Sequence, residues 1–296
     1  MPELAHAQLA AEIAANGGVV MLVGAPDTGK TTLAHQIMTE GVRAGRSIAY
    51  VDADVGQSTV GPPTCVGLRW INTEDDLQDL SVAHELRFVG STSPERLVLQ
   101  QVLATATLVD VGRRSADLVV IDTTGAVSGV VGQTLKYHKM ELCHPELVVA
   151  LQRGTEMEPV IGMFRRFFAA RVEALPVHPD VLAVSPDERS ERRQQGFAAA
   201  FEEPLERWRV RPTVFAPTIS AGLDFARLDG VLVGVQDGEG RCLGLGALEY
   251  EEGVLRVITN CGEGMQGLRL GSLRVDLADH RVQRVNLREV MFGLDR

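Results

Sequence analysis

The stretch GAPDTGKTT, residues 24–32, sets glycines, a lysine and hydroxyls at the spacing G-x-x-x-x-G-K-[ST]. A loop of this kind, between a buried strand and a helix, turns backbone N–H groups and the positive helix end toward an anion. Gly24 and Gly29 let the backbone wrap phosphates, Lys30 reaches the β and γ phosphates, and Thr31 offers its hydroxyl to Mg2+. Asp27, Thr28 and Thr32 complete the expected nucleotide-binding set. A second carboxylate for the metal is expected at a strand end, and LVVID (118–122) supplies Asp122, followed by Thr123, Thr124 and Gly125. An acid there can also serve as a helix cap or turn former.

Two more patterns bear on where a phosphoryl group would go. In YVDADVGQ (50–57), Asp52 and Asp54 stand two apart on an extended segment, so both can face the carboxyl edge of a sheet. A switch needs a group such as Gln57 to orient water, whereas a kinase needs a carboxylate to take an alcohol proton; the aspartate pair points to the kinase. Further on, SPDERSERRQQGFAAAFEEPLERWRVR (185–211) places Arg189 and Arg193 four apart, on one helical face, beside Arg192. From 189 to 211, six arginines face four acids, a local +2 in a chain of net charge -10. The segment reads either as a solvated amphipathic helix or as an arginine-bearing lid that closes on a transferring phosphoryl group.

The elements that must hold these groups follow from periodicity. Apolar runs at 18–24, 47–52, 85–90, 117–122, 146–151 and 171–177 predict a largely parallel sheet of about six strands. Helical patterns lie between them, among them a long helix over 94–114 with Pro94 near its first turn. After a proline-marked junction near 210, short β-rich runs alternate with glycine turns, DGEG (237–240) being the plainest hairpin signal. The fold class expected is α/β: a P-loop NTPase core with a mostly parallel sheet over 1–210, including the lid at about 185–207. A small C-terminal all-β domain, barrel or sandwich, is expected over 213–296.

Taken in order, GAPDTGKT, VDADVGQ, GSTSP (90–94), DTTG (122–125) and RSERR (189–193) resemble the polynucleotide 5′-hydroxyl kinases of the pre-mRNA cleavage-complex and pre-rRNA-processing type. The resemblance covers about residues 17–205. It implies that Lys30 and Thr31 bind triphosphate and Mg2+, that Asp54 activates the 5′-hydroxyl, and that Thr124 and Gly125 meet the substrate phosphate. It further implies that Gln57 lines the substrate groove and that Arg189 and Arg193 stabilise the transition state. Asp52 is strand-end support with at most a secondary role at the metal's water shell.

Two departures stand out. The eukaryotic relatives follow the family box, here DTTG (122–125), with a base-stacking tryptophan where this chain has Ala126, so about 1–3 kcal/mol of stacking is absent or supplied elsewhere. They also carry an N-terminal domain that helps hold the nucleotide base, and only a short segment precedes Gly24 here, which leaves ATP and GTP both open as donors.

The expected activity is transfer of the γ-phosphoryl group of ATP or GTP to the 5′-hydroxyl of RNA or DNA, on single-stranded or end-bearing nucleic acid. The alternatives are a P-loop nucleotidase switch acting through a protein partner, and a kinase for a small metabolite alcohol. The acidic net charge argues against bulk coating of nucleic acid but leaves a local cationic groove open. No apolar run approaches the roughly 18 residues of a membrane span, and Glu3 and Glu12 stand where a signal peptide carries basic residues, so a cytoplasmic protein is expected. Cys65, Cys143, Cys242 and Cys261 show no C-x-x-C pair, and the Cys143-His144 pair reads as a helix end. Lys136 and Lys139, in TLKYHKMELCH, read first as solvated helix charge and second as substrate-phosphate contacts. Trp208 reads first as a packing residue and second as a base-stacking platform.

Overall fold

In the computed structural model, which describes residues 2–219 and 223–292, the first apolar run becomes β1 (Gly18–Gly24), buried from Val19 onward. Alternate residues of a strand face opposite sides of its sheet, and both sides are apolar here. Val19, Met21 and Val23 join one core, while Val20 and Leu22 join another. Such a strand requires helices on both faces. α1 (Pro2–Asn16) and α2 (Lys30–Arg43) cover one face through Leu9, Ile13, Leu33 and Ile37. α3 (Val98–Ser115), α4 (Gly129–Cys143) and α5 (Glu158–Phe167) cover the other through Leu108, Met140 and Phe164.

The sheet adds β2 (Ile48–Ala53), β3 (Cys65–Ile71), β4 (Glu85–Phe88), β5 (Leu118–Thr123), β6 (Leu147–Gln152) and β7 (Arg171–Pro176), in the order β4-β3-β2-β5-β1-β6-β7. Five neighbouring strands, β2-β5-β1-β6-β7, are parallel; β3 runs antiparallel to β2, and β4 antiparallel to β3. The sheet thus has seven strands where about six were expected. The extra one, CVGLRWI, hides in the sequence because Gly67 and Arg69 interrupt its apolar run. The long helix expected from Pro94 is divided: Pro94–Arg96 form a 3-10 turn, Leu97 leaves helical geometry at φ −130 and ψ 36, and α3 begins at Val98. β2, β5 and β1 are adjacent, so the segments after Gly24, Ala53 and Thr123 emerge together at one sheet edge, where open α/β sheets bind ligands.

The second sheet contains β8 (Glu206–Arg209), β9 (Val231–Gln236), β10 (Cys242–Glu251), β11 (Val254–Thr259), β12 (Gly267–Val275) and β13 (Val282–Arg284). They form one six-stranded antiparallel sheet, order β13-β12-β9-β10-β11-β8, in place of two sandwich layers. β8 belongs to this sheet although its residues were expected to end the lid, because it pairs with β11 across the sequence. Beyond α6 (Pro186–Ala200), a short last helix, α7 (Leu287–Phe292), packs Val290 into the core of this nominally all-β region. Residues 220–222 and 293–296 of the expected β-domain lie outside the described residues. Trp208, on β8, is 37% exposed and packs over Gly262.

The sheets meet in a seam. Cys65 and Phe88 from the first, Leu232, Leu245 and Leu273 from the second, and Phe197 and Phe201 from the region of α6 share one core. Gly90 O accepts from Ser272 N at 2.7 Å and from Ser272 Oγ at 3.0 Å, tying the 90–94 loop to β12. Among the described residues, no helix is long and apolar enough to cross a membrane.

Candidate active site

β1 delivers the chain into the 24–32 loop, and Gly29 turns it into α2 at φ +84, a left-handed conformation that glycine adopts without steric cost. Lys30, the first residue of α2, is 7% exposed and donates from Nζ to Ala25 O at 2.9 Å. Burial lowers its pKa, opposed by the charges of Asp122, Asp54 and Asp27. Gly24 lies behind the loop, where a Cβ would sit 2.5 Å from Thr28 Oγ1 and 2.8 Å from Leu151 O. Its requirement is close packing under the loop.

Asp122 sits beside the loop because β5 lies next to β1, with Leu22 opposite Asp122 in register. Thr31 Oγ1 donates to Asp122 Oδ2 at 2.5 Å, and Tyr50 OH donates to the same oxygen at 3.3 Å. Burial raises the Asp122 pKa, with Lys30 and the Thr31 hydroxyl opposing. A hydroxyl and a carboxylate held side by side are hard oxygen donors of the kind Mg2+ takes, with phosphates and water completing the shell. Among the described residues no cluster of three or more His, Cys, Asp or Glu side chains could hold a metal.

The two aspartates after β2 play different roles. Asp52 spends both oxygens on backbone amides: Oδ1 on Asp54 N at 2.9 Å, Oδ2 on Thr59 N and Val60 N at 2.5 and 3.0 Å. Burial, together with Asp122, pushes its pKa up to about 8 against those amides. It is strand-end support, shaping the loop that carries Asp54. Asp54 is half-buried; its Oδ1 accepts from Gly56 N at 3.0 Å and Gln57 N at 3.1 Å, and its Oδ2 has no hydrogen bond among the described residues. Gln101, fully buried on α3, donates from Nε2 to Ala53 O at 2.9 Å and steadies the residue before Asp54.

Helix α6 opens with a capping box: Glu188 N donates to Ser185 Oγ at 3.2 Å and Ser185 N to Glu188 Oε2 at 2.8 Å. Its Arg189 forms an ion pair with Asp27 of the phosphate loop, and the backbone oxygen of Arg189 accepts from Gln57 Nε2 at 3.1 Å. Arg193, one turn on, has its pKa lowered by burial and by Arg189, with Asp54 opposing. The arginine segment is therefore docked on the site; it is not a free amphipathic helix. Arg153, absent from the expected set, donates to Asp27 O.

The family box packs directly on the loop: a Cβ on Gly125 would lie 2.6 Å from Pro26 N. Beneath it, the structure corrects the reading of Lys136 and Lys139. Both are fully buried, on a stripe with Gly132, Leu135, Met140 and Cys143. Lys136 Nζ donates to Thr123 Oγ1 at 2.7 Å and Thr124 O at 2.6 Å, so it holds the box from below; Lys139 Nζ has no partner among the described residues. The stripe spacing 132, 135, 136, 139, 140, 143 was the available signal.

One cavity of about 760 Å³ is lined by Asp27, Thr28, Gly29, Lys30, Thr31, Thr32, Asp54, Gln57, Asp122, Thr124, Gly125, Arg189 and Arg193. Of the site residues expected from the sequence, Gly24 and the supporting Asp52 stand outside its lining. Thr92 and Ser93 of the 90–94 loop, Arg192 and Ala126 line it as well.

Comparison with known proteins adds to this geometry. A polyribonucleotide 5′-hydroxyl-kinase of Pyrococcus horikoshii is 29% identical, over 86% of this chain and 85% of its own length. One of Methanocaldococcus jannaschii is 26% identical, over 87% of each. The rat polyribonucleotide 5′-hydroxyl-kinase Clp1 is 31% identical over 62% of this chain and 45% of its own. Among solved structures, that of the Clp1p-Pcf11p complex is similar in fold, with a TM-score of 0.71 at 15% identity, over 92% of this chain and 78% of that one. The family model described as the P-loop of the mRNA cleavage and polyadenylation factor CLP1 matches residues 24–203, more than half of the sequence, and this chain belongs to that CLP1 P-loop family.

Proposed function

We propose that this chain transfers the γ-phosphoryl group of ATP to the 5′-hydroxyl end of RNA. The observation that carries the reading is the single cavity in which the phosphate loop, Asp122, Asp54, the Thr124-Gly125 box and two lid arginines converge. Family membership and the named activity of the relatives support it.

In this reading the loop amides and Lys30 cradle the β and γ phosphates. Thr31 and Asp122 would hold Mg2+, which when bound neutralises charge on the phosphates. The free Oδ2 of Asp54 takes the proton of the 5′-hydroxyl as its oxygen attacks the γ phosphorus, and the bond to the β–γ bridging oxygen breaks to release ADP. Asp54 Oδ1 is fixed by two amides, so Oδ2 is aimed without a further ordering cost. Arg189 exchanges Asp27 for phosphate oxygens, and Arg193 adds its charge from one turn away. Gln57, which a water-activating switch would need, spends its amide on Gly56 O and Arg189 O.

The test is transfer of labelled γ-phosphate from ATP, with GTP alongside, to RNA and DNA oligomers ending in a 5′-hydroxyl. Labelled RNA with the wild type, and none with Lys30→Ala, supports the reading; free phosphate without labelled oligomer refutes it. Asp54→Asn should abolish labelling while leaving nucleotide binding within about two-fold, and loss of both together would count against its role as base.

A further inference from the structure

A second cavity, about 690 Å³, lies between α6 and the β12–β13 hairpin, and it shares Thr92 and Arg193 with the catalytic cavity. The shared residues make the two neighbours, adjoining at Thr92 and Arg193. Its hairpin wall carries His280, Arg281 and Arg284; among the described residues the two arginine side chains, both exposed, are engaged only in long surface pairs, Arg281 with Asp279 at 3.5 Å and Arg284 with Glu95 at 3.6 Å. Pairs of this kind contribute little, so phosphates can replace the carboxylates at small cost.

The groove is built, not incidental. The hairpin turn is held by Ala278 N to Asp276 Oδ1 at 2.8 Å and by His280 N to Asp276 O at 2.8 Å, and His280 sits at φ +58. Non-glycine residues held in that left-handed region cost energy and persist where the surroundings enforce them. Gln194 of α6 donates to Asp279 O, fastening lid helix to hairpin across the groove. On the α6 side Asp187 and Glu191 oppose Arg193, whereas the hairpin side presents Arg281 and Arg284, so the hairpin is the more cationic wall.

We propose that this groove takes the RNA strand beyond its second nucleotide, with backbone phosphates on Arg281 and Arg284. The inference rests on the kinase reading, because it is the 5′-hydroxyl at Asp54 that sets where the strand must leave the cleft. The second sheet thereby gains a role, since β12 and β13 supply a guide that the phosphoryl-transfer machinery lacks. Phosphate contacts position a strand without reading its sequence, so the groove serves acceptors of any sequence.

The experiment compares a decanucleotide and a dinucleotide of RNA, both with 5′-hydroxyl ends, as acceptors for the wild type and for Arg281→Ala/Arg284→Ala. Both side chains are exposed, so the variant keeps its fold. For the decanucleotide, KM should rise about 10-fold, and the dependence of log affinity on log salt should fall by about 1.4, the value for two phosphates on a single strand. For the dinucleotide, kcat/KM should be unchanged. Equal effects on both acceptors, or none on either, overturn the proposal. Fluorescence anisotropy of a 3′-labelled decanucleotide reads binding independently of transfer. Binding whose salt slope falls by about 1.4 in the variant upholds the groove even if no phosphate is transferred, in which case the kinase reading fails instead. Transfer by the wild type with variant binding unchanged leaves the kinase and removes the groove.

Discussion

Lys139→Met isolates the cost of a buried amine. Lys139 is fully buried, its Nζ has no hydrogen-bond partner among the described residues, and burial pulls its pKa from 10.5 to about 8. Between pH 8 and 10.5 the unfolded chain holds a proton that the folded chain has released, so stability rises with pH over that window. At about 1.4 kcal/mol per pH unit, the full interval corresponds to about 3 kcal/mol. Below pH 8 the native protein bears this cost; above 10.5 it is relieved. Methionine matches the shape of the lysine stem and needs no partner, so Lys139→Met should be more stable than the wild type by up to about 3 kcal/mol at pH 7. Urea unfolding of both proteins from pH 7 to 10.5 is the assay, and taking the difference cancels other titrating groups. The variant's advantage should shrink steadily above pH 8. A difference independent of pH, or a variant less stable at pH 7, would refute the reasoning, because either result requires a native partner for the ammonium.

Other perturbations separate the parts of the site. Lys136→Met, three residues away, should do the opposite of Lys139→Met: it leaves Thr123 Oγ1 and Thr124 O without their donor and should cost about 1–3 kcal/mol in urea unfolding. A neutral result would show that the box does not depend on it. Gly125→Ala drives a methyl to within 2.6 Å of Pro26 N and should part box from loop. Overpacking of about 1–3 kcal/mol would lower kcat/KM by about 5- to 150-fold, and an unchanged value excludes tight contact there. Arg189→Ala should lower kcat by about 10²- to 10³-fold with KM for ATP little altered. A change confined to KM would assign Arg189 to ground-state binding through its place beside Asp27.

The phosphate loop was legible because its chemistry is local. Strand, glycine turn and helix start lie within about fifteen residues, and Gly29, Lys30 and Thr31 acquire their directions from that backbone alone. The aspartate loop was legible for the same reason: Asp54 is placed by amides two and three residues on. His144 ends α4, as the Cys143-His144 reading anticipated, and does so in the left-handed conformation; the capping box that starts α6 is equally local, closed between Ser185 and Glu188.

What the sequence by itself determined, then, is the set of chemical groups and the apolar alternation that requires a two-faced sheet. Tertiary structure alone decided which strands are neighbours and which polar groups are buried. β5 lies between β1 and β2, which brings Asp122 to Thr31 across 91 residues. β8 leaves the lid for the second sheet, and α4 turns two lysines inward where composition suggested solvent. The physical reason is the range of the interactions. Turns and caps are closed by backbone groups a few residues apart, whereas strand order and burial are settled by which apolar faces meet, and one chain of residue types permits many such pairings.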